Sequence, residues 1–363
     1  MAEGSPAQRF KCTNCSADME FDPASGGLKC PYCGTAEAVV EQPAKAVSEN
    51  PIDQVDPTRF GKLSDKALQV ECSTCGSIVG FEPPEVAGSC PFCAAKIVMQ
   101  AKSADPLISP DALLPFSVPK DNASGQVRQW LASRWFAPSD LNKLAQPDGL
   151  SGMYLPFWTF DAEALTTYSG ERGEYYYETE YILVRDANGR ESRQPRQVRH
   201  TRWYPTSGRV ENSFDDILIP ATKSVDRGKL EALDPWDLPS LRPYEPAYLA
   251  GFKAQRYQAE LPEAFESAKG RMEAAIRQTV LRDIGGDEQR IHSMTPQYSN
   301  ITFKHLLLPV WLGAYRYQGK VYQVLVNART GEVQGERPYS AGKIALAVIA
   351  AIILLIVIFA ISR

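Results

Sequence analysis

An α+β chain built on an antiparallel sheet is predicted by three observations. They are two short cysteine arrays, a middle region where period-two strand patterns alternate with a few amphipathic helices, and one long apolar run near the C-terminus. The 363 residues carry a net charge of −4, with 44% apolar and 23% charged residues, ordinary proportions for a globular chain that make no case for wholesale nucleic-acid binding. Between the arrays and the run about 230 residues remain, enough for one large domain or two small ones.

The eight cysteines form one array twice: Cys12, Cys15, Cys30, Cys33, then Cys72, Cys75, Cys90, Cys93. Each is a CxxC pair, fourteen residues, and a second CxxC pair, the spacing expected for tetrahedral zinc held by four thiolates. A CxxC turn aims two sulfurs at a point about 2.3 Å away, and two such turns brought together by a hairpin complete the tetrahedron. Ser25-Gly26-Gly27 in the first array, and Pro83-Pro84 with Gly88 in the second, supply that hairpin, and both second knuckles carry proline and an aromatic, Cys30-Pro31-Tyr32-Cys33 and Cys90-Pro91-Phe92-Cys93. Disulfides and a redox CxxC pair are the alternatives. A redox pair comes singly beside a βαβ pattern, and neither feature is visible. Four sulfurs per site leave no place for water, so two structural zinc ions are expected, folding two zinc ribbons and catalysing nothing.

These readings divide the chain into a ribbon over 1–40, a linker over 41–65, a second ribbon over 66–100, a linker over 101–112 and an α+β domain over 113–339. Pro43, Pro51 and Pro57 with Glu49, Asp53 and Asp56 mark the first linker as a flexible tether, and Pro106 and Pro110 mark the second, so the ribbons are expected to hang as beads on a string.

Inside the domain, residues 125–136 repeat Val127, Trp130, Leu131 and Trp135 at helical spacing and stop before Pro138. Residues 175–185 and 197–204 around Asn188-Gly189 predict a long β-hairpin. The clearest helix is 262–284, with proline in its first turn, a stripe of Phe265, Met272, Ile276, Val280 and Ile284, and Gly285-Gly286 as its stop. Residues 309–317, 321–327 and 332–335 predict a meander turning at Gln318-Gly319 and Arg329-Thr330-Gly331. Leu114-Pro115-Phe116, Leu155-Pro156-Phe157-Trp158 and Leu308-Pro309-Val310-Trp311 echo one another, either as duplicated subdomains or as independent edge-strand starts.

The apolar run begins at Ile344 and ends at Ile361, eighteen residues without a polar side chain. As a helix it covers about 27 Å, close to the ~30 Å hydrocarbon thickness of a bilayer. A tail anchor over 343–362 follows. The N-terminus has no apolar leader segment, reduced cysteines need a reducing compartment, and Arg337 and Lys343 before the run lean toward the inside. The expected topology is single-pass with the N-terminus in the cytosol.

The most charged stretch holds Arg185, Arg190, Arg193, Arg196, Arg199 and Arg202 against Asp186 and Glu191, followed by Trp203 and Tyr204. It reads as a solvated hairpin face, an anionic-lipid contact or a nucleic-acid contact. The ribbons are close to neutral, which removes the counterion-release contribution to phosphate binding and favours protein contact. His200, His292 and His305 fall in different elements, no HExxH, GxSxG, GxGxxG or GxxxxGK[ST] string occurs, and Asp215-Asp216 reads as a solvated turn, so no catalytic residue is assigned.

The ribbons with their CPYCG and CSTCG turns, the segment GMYLPFWTFDAE, the strand-turn-strand VYQVLVNARTGEVQGERP and the terminal anchor together resemble the bacterial TFIIB-type zinc-ribbon membrane proteins. Members are often labelled primosomal protein N′ (replication factor Y) or superfamily II helicase, and some are encoded beside SPFH (stomatin/flotillin-like) proteins in envelope-stress operons. The resemblance implies an inner-membrane adaptor whose cytosolic ribbons help place an SPFH-type partner. A helicase would need a phosphate-cradling Walker A loop, which this chain lacks. The family's functional residues carry over as the eight cysteines. The alternative is a membrane-tethered nucleic-acid-binding protein associated with replication or transcription.

Overall fold

The computed structural model describes residues 10–39, 47–55, 60–61, 68–71, 75–81, 87–92, 96–98, 107–108, 110–138, 141, 149–185, 191–255 and 257–361. Cys72, Cys93, Arg190 and the Asn188-Gly189 turn lie outside the described residues. The fold is α+β with antiparallel pairing throughout its main sheet apart from two short parallel contacts.

Three long strands form the frame. The central strand Ser151–Arg185 pairs on one side with Glu191–Pro220 and on the other with Glu288–Tyr317. The third strand matches the central one from Ser151↔Leu312 to Gly173↔Glu288. Beyond Gly173 only the first pair continues, to Arg185↔Glu191, so twelve residues at ~3.3 Å each project as a two-stranded arm of about 40 Å. The expected hairpin over 175–185 and 197–204 is this arm, the distal part of much longer strands.

Prolines that read as strand breakers are tolerated because of where they sit. Pro195 and Pro205 belong to the strand at the sheet's edge, where a missing N–H removes no ladder bond if it faces outward. The LPFW and LPVW segments are not edge-strand starts. They meet in mid-strand, Leu155↔Leu308 and Pro156↔Leu307, where both faces are covered. One face packs Tyr154, Leu307 and Trp311 with Leu113 and Phe116; the other packs Met153, Leu155, Phe157, Leu306, Leu308 and Val310 with Leu114 and Trp236. A strand buried on both sides reads as a continuous apolar run.

The helix Leu261–Ile284 starts after Glu260 with proline in its first turn and ends at Gly285, whose φ of 64° lies in the left-handed region. Its buried stripe, from Leu261 through Phe265, Met272 and Ile276 to Ile284, lies on Trp158, Phe160, Ala164, Tyr168 and Val210 of the sheet. The first helix is Lys120–Ala132, shifted from the expected 125–136. Pro119 sets its start, and Trp135 and Phe136 fall in the turn beyond it. The meander is as expected: Lys320–Asn327 follows a two-residue turn at Gln318 (φ 46°) and Gly319 (φ 79°), and Val333–Gly335 closes it.

The ribbons are not beads on a string. Met19, Phe21 and Leu28 join the cluster of Phe116, Tyr154 and Trp311, and the Phe21 amide donates to Ala250 O at 2.9 Å. Phe92 and Cys90 join the cluster on the opposite face, with Leu155 and Leu308. The tether is docked as well. Asn50–Pro51 pairs with Thr302 and Phe303, and Asn50 Nδ2 donates to Phe303 O at 3.2 Å. In the second linker Leu107–Ile108 pairs with Phe60–Gly61, and the Asp111 amide donates to His305 O. Backbone ladder bonds and apolar contacts of this kind replace the freedom that proline and acid content suggest.

The helix Ala341–Ile361 leaves the domain at its C-terminal end, wholly unburied and long and apolar enough to cross a membrane.

Candidate metal centre

The first cysteine quartet is assembled by a three-stranded sheet, Glu20–Asp22, Gly27–Lys29 and Ala36–Glu37, in antiparallel register. Cys12 N donates to Ala17 O and Cys30 N to Thr35 O, so each CxxC closes as a tight turn. The residue after each second cysteine takes a left-handed φ: Ser16 at 60° and Gly34 at 76°. Cys12 Sγ lies 3.5 Å from Cys33 Sγ, and Cys15 Sγ lies 3.4 Å from Cys30 Sγ. All four sulfurs fall within 4.8 Å of one another. Four ligands at ~2.3 Å from one ion in a tetrahedron are ~3.8 Å apart, so the quartet has the dimensions of a metal site. A disulfide needs ~2.05 Å, far less than these separations.

The thiols share protons unevenly. The Thr35 hydroxyl, 3.1 Å from Cys33 Sγ, and the Thr35 amide pull the Cys33 thiol down to about 6. The Cys15 amide draws the Cys12 thiol down. Cys15 is pulled down by the Ala17 amide, but hydrogen bonding with Cys30 and Cys33 outweighs it and pushes Cys15 up to about 12. Four thiolates this close cannot all ionise unaided. A cation at their centre replaces the shared protons, which is why such a set fits a divalent metal.

Of the second quartet, Cys75 and Cys90 are described, with their sulfurs 3.7 Å apart, a separation equal to one edge of such a tetrahedron. Gly76 has φ 70°, left-handed like Ser16 (φ 60°) at the equivalent position after Cys15. Ser77 follows Cys75 by two residues, as Thr35 follows Cys33 on the other knuckle of the first array, and its hydroxyl lies 3.1 Å from Cys75 Sγ and 3.3 Å from Cys90 Sγ. These two hydroxyls are the functional residues that cysteine spacing alone misses. Their signal is a hydroxyl residue two positions after cysteine, in Cys33-Gly34-Thr35 and Cys75-Gly76-Ser77.

The other sequence-predicted residues are placed apart from the cysteines. His200 lies 3.9 Å from Glu178 on the arm, His292 lies 3.6 Å from Glu171, and buried His305 lies between Trp158 and Tyr257. Asp215-Asp216 lies in a strand rather than a turn, with Asp215 exposed and Asp216 partly buried. A bulge sets this pair opposite Asp161, since the register jumps from Phe160↔Ile217 to Ala162↔Phe214, and Asp216 adopts φ 52°. The Asp216 amide donates to Asp161 at 2.6 Å, and Asp216 lies 2.7 Å from the ammonium of Lys304. Lys304 is only 6% exposed and also meets Glu49 at 3.3 Å. Oxygens of Glu49, Asp161 and Asp215 fall within 4.8 Å of one another. The lysine supplies the cation of this cluster, which ties the tether to the sheet.

On the arm, cross-strand partners share a face. One face carries Tyr175, Tyr177, Tyr181 and Leu183 opposite Thr201, Arg199, Pro195 and Arg193, with Glu288 bonded to Thr201 at its base and Glu191 at its tip. Arg199 stacks over Tyr175 at 4.1 Å. Tyr181 is 69% exposed and Leu183 nearly as open. The other face mixes Glu174, Glu178 and Glu180 with Arg196 and Arg202. The arm stands at the far end of the central strand, with Tyr181 30 steps of ~3.3 Å from Ser151, or about 100 Å along the strand.

No family model matches the chain, and no solved structure does. Over 344 residues, 93% of this chain and 92% of the relative, it is 26% identical to the uncharacterized protein YdjG of Bacillus subtilis (strain 168).

Proposed function

We propose that the chain is a non-enzymatic adaptor held in the membrane by its terminal helix. In this reading two structural zinc ions fold the ribbons, and the ribbons and the arm bind protein partners. A membrane-bound SPFH-type protein is the partner that the resemblance to TFIIB-type zinc-ribbon proteins names. The observation that carries the reading is the aromatic, arginine-bearing face of the arm, with Tyr177, Tyr181 and Leu183 exposed about 100 Å along the central strand from Ser151. Exposed tyrosine and arginine on a rigid ribbon have the composition of a protein-binding surface. A four-thiolate metal site needs reduced cysteines, which supports a reducing compartment and hence a cytosolic N-terminus, with the helix in the bacterial inner membrane.

The test is crosslinking in native membranes from photoreactive groups placed at Thr179 and Tyr32, comparing wild type with Tyr177→Ser/Tyr181→Ser and with Cys30→Ser/Cys90→Ser. A discrete crosslinked protein lost in the arm variant is expected, and an unchanged crosslink pattern in both variants would remove the adaptor reading. Protease added to spheroplasts should leave the ribbons intact. Cleavage there would reverse the topology. The nucleic-acid alternative is met by a salt titration of DNA and RNA binding by the purified full chain, where salt-sensitive association near physiological ionic strength would favour it.

A further inference from the structure

The base of the terminal helix carries a group of nitrogen donors that the fold leaves without acceptors. Trp130 sits in the last turn of the helix Lys120–Ala132. The Arg134 guanidinium lies 5.0 Å from its ring centre and that of Arg337 lies 5.9 Å away, with Arg337 also 5.4 Å from the Tyr339 ring. Trp130 Nε1, Arg134 Nε and Arg337 Nε are all buried with no hydrogen-bond partner. Among the described residues neither arginine pairs with a carboxylate, and the adjacent Glu336 is engaged by Lys229. An unsatisfied buried donor costs ~1–3 kcal/mol, more for a charged group, so three converging on one ring point to a missing anion.

Their position identifies the anion. The Ser340 amide donates to Phe136 O and the Lys343 ammonium to Ala137 O, each at 2.8 Å, which fastens the turn after Trp130 to the first turn of the apolar helix. Trp135 (64% exposed) and Tyr339 (62%) flank this junction as interfacial aromatics do. Beside them runs an apolar groove of about 350 Å³ lined by Phe136, Tyr339, Ile344, Ala347, Val348 and Ala351. Guanidinium groups next to an acyl-sized groove at the start of a membrane-spanning helix fit one molecule, with its phosphate above and its chain below.

We propose that Arg134 and Arg337, with the Trp130 indole, bind the phosphate of an anionic phospholipid headgroup whose acyl chain lies in the groove along Ile344, Val348 and Ala351. This rests on the reading of Ala341–Ile361 as a membrane span. A net-negative headgroup is favoured over a zwitterionic one because Lys343 adds a third positive charge and, among the described residues, no carboxylate pairs with the two arginines.

The test uses the full chain, reconstituted in bilayers of phosphatidylcholine and phosphatidylglycerol, released, and weighed with its retained lipids by native mass spectrometry. Wild type should retain phosphatidylglycerol in preference to phosphatidylcholine. Arg134→Gln/Arg337→Gln should lose that preference by about ten-fold, as the loss of charge-assisted pairs predicts, and Arg134→Lys/Arg337→Lys should fall between. Trp130→Phe, which keeps the packing and removes one donor, should weaken retention without altering the melting temperature. Arg193→Gln/Arg199→Gln on the arm should match wild type. Equal retention in wild type and the Arg134→Gln/Arg337→Gln variant, or displacement of the lipid by millimolar inorganic phosphate, overturns the proposal. Alkaline carbonate extraction separates the two readings. Wild type that stays in the membrane yet shows no lipid preference refutes the headgroup site alone, whereas wild type that is extracted refutes the span and the site together.

Discussion

Replacing Phe21 with alanine should undock the first ribbon from the sheet while leaving its metal site intact. Phe21 is 4% exposed, meets Tyr248 edge-on with ring centres 5.3 Å apart, and approaches Phe252 at 6.5 Å. Truncation of a buried phenylalanine costs ~3–5 kcal/mol, and the edge-to-face contact accounts for ~0.5–1.5 kcal/mol beyond area burial. Because those contacts cross from the ribbon to the domain, at least ~3 kcal/mol falls on docking, which multiplies the undocked population by about a hundred. Two backbone amides report this separately. The amide of residue 21 donates to Ala250 O across the junction, whereas Cys30 N donates to Thr35 O within the ribbon. In the zinc-loaded protein, hydrogen exchange should accelerate about a hundred-fold at position 21 and little at Cys30. Unchanged exchange at position 21 would refute the docking argument, and equal acceleration at both would show that the ribbon unfolds rather than lifts away.

Thr35→Val and Ser77→Ala each remove a hydroxyl from a sulfur and should weaken metal binding by about 10–100-fold in chelator competition, with affinity equal to wild type as the contrary result. Lys304→Met strips Asp216 and Glu49 of their cation and should destabilise the fold by about 3–5 kcal/mol in denaturant titration, so a change below ~1 kcal/mol would show the cluster to be solvated. Burial holds the Asp161 carboxyl at about 6, above the ordinary ~3.9. An acid raised in this way stabilises the fold below its unfolded value, and that share is lost as pH rises through about 6. Asp161→Asn should therefore flatten the fall in melting temperature between about pH 4 and pH 7, and parallel curves for variant and wild type would contradict it.

The local chemistry was legible where it depends on spacing. The cysteine array specifies its own geometry, so the quartet of Cys12, Cys15, Cys30 and Cys33 stands where CxxC spacing puts it. The long amphipathic helix was legible for the same reason, because its stripe repeats with the helical period. The docking of ribbon and tether was not. Phe21, Leu28 and Asn50 find partners more than a hundred residues away, and nothing in their own neighbourhood marks those partners. The bulge at Asp161 was hidden too. A strict two-residue alternation places Asp215 and Asp216 on opposite faces, and one extra residue with a left-handed φ turns Asp216 to Lys304 while Asp215 stays exposed beside Glu49 and Asp161. Strand length was masked by Pro195 and Pro205, which look like breaks until the strand is known to be an edge.

The central strand works as a pointer. Its near end is clamped between the two cysteine modules, one on each face, while its far end at Val184 has only Ser192 beside it. With ~3.3 Å per residue giving a reach of about 100 Å, a lean of roughly 5° at the clamped end sweeps the tip through roughly 9 Å. A movement of that size exceeds the width of a side-chain contact, so whatever grips Tyr181 feels small changes in how the modules hold the sheet.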